Sequence, residues 1–161
     1  MFIIKKLEYN EHSIAQLKKL LSAYGEYMYN TLKLIAGKET FYEDLKSIPG
    51  IKYSPPLGIW LLGFEENNLA GCVAIKQFQD NKCEMKRMFI KPEYRGRGLG
   101  KLFCNAVIEK AIEFGYDTVL LDTIEEMIEA VSLYKTYGFY EIPAYCINEN
   151  DHPVYMAYHI H

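Results

Sequence analysis

One twelve-residue stretch limits what this chain can fold into: Phe89-Ile90-Lys91-Pro92-Glu93-Tyr94-Arg95-Gly96-Arg97-Gly98-Leu99-Gly100. It opens as the end of an apolar strand, is stopped by a proline, turns through glycines at alternate positions, and enters an amphipathic helix. Alternate glycines leave a row of backbone N–H groups with no side chains in the way. The helix behind them turns its positive end to the same place. With Arg95 and Arg97 beside them, these groups are expected to converge on a phosphate or pyrophosphate.

At 161 residues the chain reads as one domain, 1–161, large enough for a hydrophobic core without disulfides or metals. A net charge of −3 argues against a general nucleic-acid binder. A local basic patch remains in Lys86, Arg87, Lys91, Arg95, Arg97 and Lys101. The four cysteines include no C-x-x-C pair, and three sit in apolar patterns, so buried reduced thiols are expected. The histidines lack zinc-ligand spacing, and no metal is expected. With no long apolar run near the N-terminus, neither a signal peptide nor a membrane span is expected, and the cytoplasm is the default compartment.

In chain order, Phe2 to Leu7 reads as a strand and a helix follows from Glu11, with Ile14, Leu17, Leu21 and Tyr24 on one stripe. Gly25 is expected to break it before a second stripe of Met28, Leu32 and Ile35. Thr40-Phe41-Tyr42-Glu43 has the form of a capping box, opening a short helix that Pro49-Gly50 ends. Three strands joined by short polar connectors then suggest an antiparallel meander whose last strand feeds the glycine turn. After the helix beginning at Leu99, the apolar run Thr118-Val119-Leu120-Leu121 reads as a strand parallel to the one ending at Ile90. Thr123-Ile124-Glu125-Glu126 is a second capping box, opening a helix with Met127, Ala130, Val131 and Tyr134 on one face. Two last strands surround a polar tip at Asn148 to His152.

A dinucleotide-binding fold would use Gly96, Gly98 and Gly100 with Asp122 as a ribose-binding acid. Its usual spacing is G-x-G-x-x-G, whereas here it is G-x-G-x-G, and only about sixty residues follow Gly100. A different pair of motifs covers more of the chain. Arg95-Gly96-Arg97-Gly98-Leu99-Gly100 fits R/Q-x-x-G-x-G/A, and Ala130 to Phe139 fits A-x-x-L-Y-x-x-x-G-F. In this order, one helix and one strand apart, they resemble the GNAT superfamily of acyl-CoA-dependent N-acetyltransferases. The order of elements resembles that α/β (α+β) fold as well: a central mixed, mostly antiparallel sheet flanked by helices, with a splayed parallel strand pair.

The resemblance implies acetyl-CoA as co-substrate, its pyrophosphate held by the backbone of Arg95, Gly96, Arg97, Gly98, Leu99, Gly100 and Lys101. It implies a pantetheine arm lying in the splay beside Met88, Phe89 and Ile90, with the Met88 N–H donating to the thioester carbonyl as it becomes an oxyanion. It implies Tyr134 as the acid that protonates the departing thiolate; tyrosine packing on an apolar helix face is the competing reading. Glu84, eleven residues before Arg95, stands where histone-type members place a catalytic Glu, so it is the candidate general base. The competing reading is a salt-bridged strand Glu beside Lys86 or Arg87. Many members carry Asn where this chain has Met127. Asp122 and Thr123 are expected to cap the following helix. The acceptor is expected to be a small-molecule or peptide amine. Net charge and the acids Glu84, Asp122 and Glu125 point toward a small cationic one. Neither nucleic acid nor membrane is an expected partner, and a homodimer is compatible with the sequence. A non-catalytic acyl-CoA sensor or scaffold is the alternative outside enzymes.

Overall fold

The computed structural model describes all 161 residues. The elements are β1 (Phe2–Lys6), α1 (Glu11–Gly25) with a wider π-helical continuation (Glu26–Thr31), α2 (Lys38–Ser47), β2 (Ile59–Glu65), β3 (Asn68–Gln77), β4 (Lys82–Ile90), α3 (Leu99–Glu113), β5 (Thr118–Ile124), α4 (Ile128–Tyr137), β6 (Tyr140–Glu141) and β7 (Pro153–His159). They build one seven-stranded mixed sheet in the order β1-β2-β3-β4-β5-β7-β6. Every neighbouring pair is antiparallel except β4 and β5. A single parallel pair rules out a doubly wound dinucleotide sheet, which needs parallel strands on both sides of its switch point.

Helices cover both faces, so the central strands are buried on both sides and read as almost unbroken apolar runs. The period of two sorts them. Ile59 and Leu61 face a core with Leu99, Phe103 and Val107 of α3, while Trp60 and Leu62 face Leu17, Leu21 and Phe41 of α1 and α2. Cys72, Cys83 and Cys104 are buried and free, as their apolar settings predict. No helix is long and apolar enough to cross a membrane.

Several local expectations are corrected. Gly25 does not break α1; it is helical at φ −61°, and the helix runs on to Thr31. Glycine is required there by a close approach, since a Cβ would lie 2.8 Å from Tyr42 Oη and 2.9 Å from Phe41 Cε1. Leu32 and Ile35 fall after the helical turns, and Ile35 is exposed. Neither capping box forms. The second helix starts at Lys38 after a left-handed Gly37, which places Thr40 inside it. Thr123 belongs to β5, and α4 starts only at Ile128, without a side-chain cap. The cap that does form is Asn10 accepting from the Ser13 N–H at 2.9 Å. The second of the two last strands follows a long loop, residues 142–152, which folds back over the sheet rather than forming a hairpin tip.

Candidate active site

The parallel pairing of β4 with β5 lasts for only three residue pairs, ending at Glu84 opposite Leu120. Beyond it the strands part. On its other side β4 carries a bulge: Lys86 pairs with Ala74 and Phe89 with Cys72, so Arg87 and Met88 both stand opposite Val73. Arg87 has φ +60°, a left-handed conformation that a long side chain adopts only when surrounding structure imposes it. The extra residue reverses the alternation of faces. Cys83 and Met85 point to the α3 core, and after the bulge Met88 and Ile90 do. Lys86 and Arg87, though adjacent, therefore both serve the α1–α2 side, where Arg87 lies 4.9 Å from the Phe41 ring centroid. Met88 has no partner in either ladder.

At the far end of β4 the turn has the geometry of an anion cradle. Gly96 and Gly98 have φ +71° and +92°, and a Cβ at either would meet nothing. The first α3 hydrogen bond runs from Leu102 N to Gly98 O, and no side chain caps the helix. The N–H groups of Leu99, Gly100 and Lys101 thus have no intrahelical partner. Gly100 serves packing too, because a Cβ there would meet Leu133 of α4 at 2.7 Å. The expected convergence of arginines is corrected. The Arg95 Nε donates to Ile90 O at 2.8 Å, and its guanidinium lies over Tyr27 and Phe89. The Arg97 side chain goes the other way, pairing with Glu65 over Phe2 and Tyr94. What the loop leaves without partners is its backbone, at the uncapped start of α3.

The splay opens into a cavity of about 430 Å³ that Glu84, Met88 and Tyr134 all line. Tyr134, 7% exposed, directs its hydroxyl to Met88 Sδ at 3.8 Å, a weak acceptor. Burial pushes this phenol far up, so it keeps its proton throughout the neutral range. Met127 lines the cavity, its sulfur 3.7 Å from Thr123 Oγ1.

Glu84 is 4% exposed, and its surroundings are not apolar. Lys76 lies 3.4 Å from Oε1, Lys86 lies 3.6 Å from Oε2, and the Tyr145 hydroxyl donates to Oε2 at 2.8 Å. Asp122 caps no helix; it binds Lys86 at 3.3 Å and accepts from Asn148 at 3.1 Å. Glu125 is exposed. The acids that suggested a cationic acceptor are therefore paired or solvated. Glu84, Asp122 and Cys146 bring three potential ligand atoms within 4.8 Å of one another. Burial first, then Asp122 and Glu84, push the Cys146 thiol up to about 11, and the Lys86 ammonium already bridges the two carboxylates.

Sequence reasoning missed Asp44, and it could not name the particular contacts made by the tyrosines of the first helix or by the Asn148 to His152 loop. Asp44 of α2 binds Lys52 at 2.8 Å, Arg87 at 3.2 Å and the Tyr53 hydroxyl at 3.0 Å. Burial alone would raise its pKa, but the Lys52 and Arg87 hydrogen bonds outweigh that and hold it below the usual range. Tyr24 and Tyr29 also line the cavity. Asn150 of the 142–152 loop accepts from the Ile35 and Ala36 N–H groups at 2.9 and 3.1 Å, tying two loops together beside the cavity. No periodicity announces such contacts; the polar run at Asn148 to His152 was the only signal.

The family model for the acetyltransferase (GNAT) family matches residues 15–139. An uncharacterized N-acetyltransferase of Schizosaccharomyces pombe is 40% identical over 116 residues, covering 71% of each chain. The N-acetylaspartate synthetase of Rattus norvegicus is 29% identical over 115 residues, which are 70% of this chain but only 38% of that one. Among solved structures, a Salmonella typhimurium protein with its cofactor acetyl-CoA superposes at a TM-score of 0.73 and 14% identity, over 100% of this chain and 95% of that one. This chain belongs to the GNAT family, whose members are acyl-CoA-dependent N-acetyltransferases.

Proposed function

We propose that this protein transfers an acetyl group from acetyl-CoA directly to a primary amine. The observation that carries the reading is the splay itself. A turn with free helix-start amides stands at the outer end of β4, and the unladdered Met88 and the Tyr134 hydroxyl line the cavity at the inner end. The loop from Arg95 to Lys101 would hold the pyrophosphate through backbone N–H groups, and the pantetheine arm would run along Met88, Phe89 and Ile90. The Ile90 carbonyl already accepts from Arg95, so that arm draws chiefly on Met88.

The amine nitrogen attacks the thioester carbonyl carbon, and the Met88 N–H stabilises the oxyanion that forms. The C–S bond breaks, the thiolate takes a proton from Tyr134, and the amine's proton leaves through Glu84, directly or by way of water. Products are the N-acetyl amine and CoA with a free thiol. The name of the rat relative, an N-acetylaspartate synthetase, supports an amine acceptor. Four unpaired cysteines fit a reducing compartment such as the cytoplasm. Calorimetry with acetyl-CoA, followed by thiol release with a panel of amines, tests the reading. Binding plus amine-dependent release supports it, and absence of binding overturns it.

A further inference from the structure

Within that reading, we infer that the acceptor amine carries a carboxylate, and that Arg87 is its anchor. The cavity is lined by four cationic side chains, Lys52, Lys76, Lys86 and Arg87, against two carboxylates, Glu84 and Asp122. Both carboxylates are already bonded: Glu84 by Lys76, Lys86 and Tyr145, and Asp122 by Lys86 and Asn148. A polycationic acceptor would therefore find no free counter-charge. An anionic one would.

Arg87 is the group with capacity left. Its side chain is 13% exposed, and Nη2 reaches Asp44 at 3.2 Å. Its Nε is buried without a hydrogen-bond partner, the one such side-chain atom in the protein. That atom is sealed from solvent, so the N–H groups left for a ligand are the outer ones of the guanidinium beyond the Asp44 contact, and a planar fork is matched best by a carboxylate. Asp44 lies behind both Arg87 and Lys52, fixing these two cations while offsetting only part of their charge. The bulge is what brings them into play. It turns Arg87 to the same face as Lys86, one residue before the Met88 N–H proposed to hold the reacting carbonyl. An amine and a carboxylate close together on one small molecule, as in an amino acid, match that adjacency. The cavity volume of about 430 Å³ lies toward the small end of ligand sites, which run from roughly 300 to 1,000 Å³.

The test compares acceptors that differ only in the carboxylate: glycine against glycinamide, aspartate against its diamide, with putrescine as a cationic control. The amides have less basic amines and are the more readily deprotonated, so chemistry alone favours them. The expected result is that the parent acetylates at least one acid with kcat/KM tenfold or more above its amide. Arg87→Lys and Arg87→Gln should lower kcat/KM for that acid by roughly 10²-fold, mainly through KM, with the amide changed less than threefold. Calorimetry showing acetyl-CoA affinity within twofold of the parent confirms that each variant is folded. Should Arg87→Gln fail to fold, the parent's ratio and Lys52→Met, expected to raise KM for the acid, decide the matter. Acetylation of amides or putrescine at least as fast as the acids overturns the carboxylate inference and leaves acetyl transfer standing. No binding of acetyl-CoA by the parent overturns both.

Discussion

Replacing Glu84 by Gln separates the ion pairing seen in the structure from the general-base role proposed for this side chain. The carboxylate is bound by Lys76, Lys86 and the Tyr145 hydroxyl, so it ties β3, β4 and the 142–152 loop together. It also lines the cavity in which the proposed amine acceptor would lose its proton. Gln keeps an oxygen that can accept from Tyr145 but loses the charge facing two ammoniums. Those lysines are 27% and 23% exposed, so water partly replaces the lost partner, and the penalty stays below that of a fully buried orphan charge. Losing a charge-assisted hydrogen bond of this kind costs about 1.5–3 kcal/mol. For a chain of this length each kcal/mol shifts Tm by about 2–4 °C, giving a fall of roughly 3–12 °C. If Glu84 is the base, Glu84→Gln should lower turnover on the usual scale of about 10²–10⁴. That loss should shrink as pH rises toward the pKa of the amine itself, about 10.4 if lysine-like. The assay is a thermal melt beside a pH–rate profile, with rates corrected for the folded fraction. A variant that melts lower but turns over like the parent at every pH would refute the general-base role and leave an anchor.

Three further outcomes follow from the geometry. Tyr134→Phe loses only a 3.8 Å contact to a thioether, so stability should change by less than about 0.5 kcal/mol. Turnover should fall less than in Glu84→Gln, with little rescue at high pH, and unchanged turnover would make this tyrosine core packing. Gly98→Glu places a charged side chain at φ +92°, costing about 1–2 kcal/mol in the left-handed region, and should abolish acetyl-CoA binding while the fold persists; calorimetry showing parental affinity would move the site elsewhere. Burial raises Cys72, Cys83 and Cys104 from 9.0 to about 12, so the unfolded chain releases these protons first as pH rises. Three such groups remove about 4 kcal/mol of stability per pH unit above pH 9. Urea midpoints under reducing conditions should be level from pH 7 to 8.5 and fall steeply by pH 11. A level curve throughout would contradict the burial of these thiols.

What was legible in the sequence was local. The meander, α3 and the glycine turn are written in periods of two and 3.6 and in positive-φ glycines, none of which needs a distant partner. The Tyr134 helix was legible for the same reason. The failures have long-range causes. Gly25 looks like a helix breaker until α2 is seen packed against it, and the Thr123 capping box yields to a strand because β7 pairs with β5 as far as Ile124. Arg87 looked like one more surface cation. Its burial depends on a bulge opposite Val73 and on Asp44, forty-three residues away in the chain. The ion pair of Glu84 with Lys86 was legible as one of its two readings, but Lys76 and Tyr145 reach it from other segments.

Direct transfer across the β4–β5 splay is distinguished from a covalent relay by two-substrate kinetics. Thiol release and N-acetyl product are quantified together while acetyl-CoA and the best acceptor from the panel are both varied, and the protein is checked by mass spectrometry for an acetyl adduct. Direct transfer gives one product per thiol released, intersecting initial-velocity lines, and no acetylated protein intermediate. Parallel lines with an acetylated side chain, or thiol release that proceeds equally without any amine, would contradict it.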